Sequence, residues 1–157
     1  MTASEWMDSH GASMTDRYGF EFAFLLLGTF RRIIDEVHAE LALNGHPEAR
    51  PAHGFALQAI GPEGITITEL GRRLGVTKQA AAKTAKRLEA LGYVQRESDP
   101  ADARATRLRR SPRGEEMLGL SALAFERQKA RWIAELGEDR FATLLTDLER
   151  LGGGTSI

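Results

Sequence analysis

Gln79, Lys83, Lys86 and Arg87 are spaced so that one amide and three cations share a side of a helix turning ~100° per residue. Such a face could neutralise phosphates and offer hydrogen bonds to a groove, and it is equally what a merely solvated helix carries. Only Glu89 follows as a nearby acid, so the mixed-sign pairing that usually supports a solvated face is missing. Residues 71–110 hold eleven Lys and Arg against four Asp and Glu, an excess of seven in a chain of net charge −1, which leaves −8 for the rest. A chain so polarised attracts a polyanion with one face and repels it with the other.

Bond-making chemistry finds no comparable set. The absence of cysteine excludes disulfides, thiolate metal sites and cysteine redox sensing. Four scattered histidines form no ligand pair at helical spacing, so neither a metal nor a cofactor is expected. With no nucleophile elbow, phosphate loop or H-E-x-x-H motif, an enzyme is not expected. The first twenty residues lack a basic start and an apolar centre, and "FAFLLLGTF" at 22–30 is far short of the ~20 residues that span a bilayer. A cytoplasmic protein without membrane contact is the expectation.

The elements that must hold the cations are legible from caps and periods. "TITELGRRLGVT" at 66–77 has Thr68 as an N-cap, Leu70 and Leu74 one turn apart, Gly75 at a left-handed helix end and Thr77 as a second N-cap. Helix, tight turn, cap and helix make a helix-turn-helix, a spacing shared with any helical hairpin. Ala81, Thr84, Ala85, Leu88 and Leu91 form the side of the second helix opposite the cations, and the alanines would let it approach the first closely. Beyond Gly92 the period changes. Tyr93, Val94 and Gln95 suit a strand, "SDPADA" a turn and "ATRLRR" a second strand. Arg104 near the hairpin tip could enter a minor groove, or could pair with Asp99 or Asp102 and close the turn.

Outside this unit, residues 1–17 read as a mobile arm, and a long helix is expected from Tyr18 to about Leu43. It is apolar nearly all round over 22–27, which calls for cover on more than one side, by its own domain and by another chain. Ser111 and Pro112 start a helix running to about Leu136, and Phe141, Leu144, Leu145, Leu148 and Leu151 mark one apolar face of the last. The expected fold is mainly α: a winged helix-turn-helix at 52–111 with a two-stranded β wing, and a helical dimerisation region from both chain ends, 18–44 and 112–151, in one domain over 18–157.

This order, with "RLEALGYV" at 87–94 and "DPADARA" at 99–105, resembles the MarR (multiple antibiotic resistance regulator) family of winged helix-turn-helix repressors over roughly residues 18–150. The resemblance implies a homodimeric, sequence-specific DNA-binding regulator, a repressor of transcription whose double-stranded operator is an inverted repeat. It places Gln79, Ala80, Lys83, Arg87 and Arg104 at the DNA, with Arg104 in the minor groove and Asp102 holding it; Thr77, Lys78, Lys86, Arg107 and Arg109 of the same segment are expected at the DNA with them. Ala80 and Ala82 stand where hydroxyl residues are frequent in the family, and Arg107 and Arg110 stand where the second wing strand usually alternates apolar residues. A small aromatic effector that weakens DNA binding is also implied, with Phe30, His38, His53, Phe55 and Trp132 as candidate lining; each is also an ordinary core or surface residue. A winged helix that binds protein instead of DNA is the alternative, and the local excess of seven cations disfavours it.

Overall fold

The computed structural model describes residues 19–99 and 102–152, with the side chains at 19, 99 and 102–105 outside that description. The arm expected at 1–17 therefore lies outside the described residues. In chain order the elements are α1 (Gly19–Leu43), α2 (Pro51–Ile60), β1 (Ile65–Thr66), α3 (Ile67–Leu74), α4 (Lys78–Ala90), β2 (Val94–Asp99), β3 (Asp102–Arg110), α5 (Pro112–Leu136) and α6 (Glu138–Leu151). The protein is mainly α, as expected. Its sheet has three antiparallel strands in the order β1-β3-β2, one more than the expected hairpin, because Ile65 and Thr66 pair with Leu108 and Arg107. Two residues are too few to show strand alternation in a sequence.

The chain divides into two compact units, 1–35 and 36–157, with the boundary inside α1. In the first, Phe20, Phe22, Phe24, Leu25, Leu26, Leu27 and Phe30 are all exposed, and Phe20 meets Phe24 edge-on at 6.2 Å between ring centres.

In the second unit, the apolar residues gather into one core. Val37 and Leu41 enter from the end of α1, Leu57 and Ile60 from α2, Leu70 from α3, Ala81, Ala85 and Leu88 from α4, Leu108 from β3 and Met117 from α5. Each wholly buried Leu or Ile contributes about 1.5–3 kcal/mol relative to an exposed one. Glu36 accepts from Gln128 and Arg131, and Glu40 from Arg127, which ties the end of α1 to α5. α6 turns back on α5, where Trp132 and Phe141 meet edge-on at 6.4 Å.

The helix starts are set by single hydroxyls. Thr66, not Thr68, caps α3, its Oγ1 accepting from the Glu69 amide at 3.2 Å. Both threonines precede suitable sequence, but Thr66 ends β1 with extended backbone, and Thr68 is already helical. Ser111 caps α5 by accepting from the Gly114 amide at 3.1 Å, with Pro112 opening the helix. Gly114 is required for a steric reason: a Cβ there would collide with the backbone oxygen of Tyr93.

Candidate nucleic-acid interface

The helix-turn-helix is built by α3, residues 75–77 and α4. α3 ends at Gly75, whose φ of 65° is the left-handed conformation open to glycine at little cost. Thr77 then caps α4, its Oγ1 accepting from the Ala80 amide at 3.2 Å. The two helices come close because their contact residues are small: a Cβ on Gly71 would lie 3.5 Å from that of Ala81. Ala81, Ala85 and Leu88 are fully buried, as their spacing predicts.

The opposite side of α4 carries the chemistry. Thr77, Lys78, Gln79, Ala80, Lys83, Lys86 and Arg87 are all exposed. Among the described residues, no ion pair engages Lys78, Lys83 or Lys86. Arg87 differs, because its guanidinium donates to Glu48 of the α1–α2 loop at 2.7 Å.

The remaining cations of the segment are largely engaged. Arg72 and Arg73 both bond Glu69, whose carboxyl they hold down at about 2. Arg96 pairs with Glu89 at 3.1 Å and Arg109 with Glu97 at 3.0 Å. Arg107 donates to the Gly64 carbonyl oxygen at 2.6 Å, and Arg110 to that of Leu57 at 2.8 Å. These last two arginines hold the root of the wing to the 61–64 turn and to α2, which explains their place on a strand where apolar residues would be ordinary. Glu48, Glu69 and Glu97 complete arginine pairs that sequence reasoning missed. Glu69 sits three and four residues before its partners, a legible helical spacing; Glu48 is 39 residues from Arg87 and left no local sign.

The profile of the MarR family matches residues 50–105, which run from the start of α2 through the helix-turn-helix into the wing. The chain is 30% identical to the transcriptional regulator Tm0710 from Thermotoga maritima, over 85% of this chain and 92% of that one, with a TM-score of 0.57. It is 29% identical to MarR, over 92% and 93% of the two chains, with a TM-score of 0.63. The chain belongs to the MarR family. As a MarR-family protein it has the winged-helix fold of transcriptional regulators. Streptococcus pneumoniae FabT, solved in complex with DNA, shares that fold at 18% identity, over 85% of this chain and 94% of FabT, with a TM-score of 0.70. No curated protein matches the chain.

The wing of this MarR-family protein pairs Val94 with Arg110, Gln95 with Arg109 and Asp99 with Asp102, with a register shift between Ser98 and Asp99. The side chains of Arg104 and Asp102, expected at its tip, lie outside the described residues. The five candidate effector residues are dispersed in character. Phe30 is exposed in the first unit. In the second, His53 is buried within the field of a half-buried His38, Phe55 is exposed and Trp132 packs on Phe141. A cavity of about 410 Å³ is lined by none of them; it lies between the 61–64 turn, Thr66, Glu69, Arg73 and Arg107. No described helix is long and apolar enough to cross a membrane.

Proposed function

We propose that the protein is a homodimeric repressor of transcription that recognises an inverted repeat in double-stranded DNA and is released by a small aromatic effector. The observation that carries this reading is the outer face of α4, where Gln79, Lys78, Lys83 and Lys86 are exposed. On this reading α4 enters the major groove, Gln79, Ala80 and Lys83 meet base edges or phosphates, and Arg104 reaches the minor groove. Two subunits place their helices about one turn, ~10 bp, apart on one face of the duplex. Two apolar surfaces support a second copy as partner: the first half of α1, and Leu145, Leu148 and Leu151 of α6.

The test is a genomic footprint of the purified protein, followed by titration of the selected duplex with and without a panel of aromatic carboxylates. The reading expects one inverted repeat in front of a regulated gene and weaker binding with at least one acid. Binding that is equally weak on every duplex would contradict it.

A further inference from the structure

Tyr93 is the point where three parts of the fold meet. Its amide donates to Leu88 in the last turn of α4, and its carbonyl accepts from Ser111 at the start of α5. Its hydroxyl lies 3.2 Å from Nδ1 of His46, which belongs to the loop that follows α1. Arg113 lies over the phenol ring at 5.6 Å and donates to the carbonyls of Gly45 and Leu91, so it too bridges the end of α1 and the end of α4. Beside the shared apolar core, the contacts of Tyr93 therefore form a joint between the end of α4 and the 36–46 segment.

That joint contains titratable groups that DNA contact does not use. His46 is 1% exposed, and its Nε2 has no hydrogen-bond partner among the described residues; the nearest acid is Glu116 at 3.6 Å. The His53 ring lies 6.4 Å from the Tyr93 ring, with a buried Nδ1 that also lacks a described partner. We propose that His46, acting through Tyr93, is a positioning residue for α4, and that charging its ring on acidification loosens the joint and lowers DNA affinity. The proposal rests on the DNA-binding reading above.

The groups facing the two rings favour the neutral form. Arg113 of α5 opposes a charge on His46, and Glu116 of α5 alone favours it. Arg87 of α4, Arg50 and His38 oppose a charge on His53, and Glu48 alone favours it. Both carboxylates are more than half exposed, so water screens them, while the rings are buried. Burial comes first among the causes that lower both histidines. In the tautomer with its proton on Nε2, His46 accepts from the Tyr93 hydroxyl at Nδ1; the doubly protonated ring can only donate, so that bond is lost. The expected sign is distinctive, since a cation added on an exposed surface would strengthen DNA binding.

The test measures binding of the full chain to its footprinted duplex at constant ionic strength, with amide exchange of the free protein alongside. Between about pH 7.5 and 5.5, wild-type Kd should rise several-fold as the ring takes up its proton. His46→Asn, whose amide can meet Tyr93 but gains no charge, should bind as wild type at the higher pH and lose most of that rise. In the free wild-type protein, protection of the Leu91 and Tyr93 amides, corrected for intrinsic rates, should fall over the same range. A wild-type Kd that stays flat or tightens in acid, or a variant that keeps the full rise, would overturn the proposal. If no duplex binds at any pH, the DNA reading fails instead, and the exchange data decide the joint by themselves. Unchanged protection at Tyr93 then overturns it, including where the variant does not fold.

Discussion

Arg87 and Glu48 meet at 2.7 Å across 39 residues of sequence, so a cation on the helix proposed to read DNA is held by an acid of the α1–α2 loop. Both side chains are about half exposed. Pairs of this kind are worth ~0–1 kcal/mol, little enough for a phosphate to displace. Glu48→Gln should therefore tighten DNA binding by up to about fivefold at low salt, with the gain vanishing as salt rises. Fluorescence anisotropy on one duplex measures it. A loss of affinity would instead mean that Glu48 holds Arg87 in its binding pose.

Gly114→Ala should destabilise the protein by about 1–3 kcal/mol, the range for groups forced into filled space. The added methyl meets backbone, the carbonyl oxygen of Tyr93, and cannot be relieved by a side-chain rotation. Urea denaturation at neutral pH reads this directly, and unchanged stability would show that α5 starts farther from Tyr93.

Stability should fall with acid in two separate windows. His46 and His53 have lowered folded-state pKa values, so the unfolded chain binds more protons than the folded one below about 6.5. Their contribution is complete above that pH and is lost as pH falls towards the lowered values. Glu69, held at about 2 by Arg72 and Arg73, contributes above its ordinary value of 4.5 and loses that contribution only between 4.5 and about 2. A drop in melting temperature between about pH 7 and 5 hence reports the histidines, and it should shrink in His46→Asn.

Leu145→Asp should convert a dimer into monomers. Leu145 lies on the apolar side of α6 yet is 45% exposed in the single chain, so a charge there costs little within the subunit and much in an interface. Sedimentation at micromolar concentration, with circular dichroism to confirm folding, separates the two. A wild-type chain that is already monomeric would refute the dimer.

Much of this architecture is local enough to be legible in sequence. Gly75, Thr77, Ser111 and Pro112 act on their own neighbours, so the helix ends around α4 and before α5 follow from residue type alone. Thr66 and Thr68 show the limit: either can cap, and the choice was made by β1, a strand whose partner is more than 40 residues away. The same limit applies to the cations. Lys83 and Lys86 are as exposed as their helical position predicts, whereas the partners of Arg107 and Arg109, the Gly64 carbonyl and Glu97, leave no mark in the local sequence. Charge can be counted along a chain, whereas its pairing is a property of the fold.

The most direct measurement is the salt dependence of binding to the footprinted duplex. Lys78, Lys83 and Lys86 are the cations of α4 not ion-paired among the described residues, and a dimer brings two sets. If each meets a phosphate, log K should fall against log salt with a slope of about −5, at ~0.9 per phosphate neutralised. That steepness would come from a protein of net charge −1, because affinity follows the phosphates met locally. A slope near −1 would contradict the account, since the lysines of α4 would then be solvated in the complex and the helix would not be the DNA-reading element.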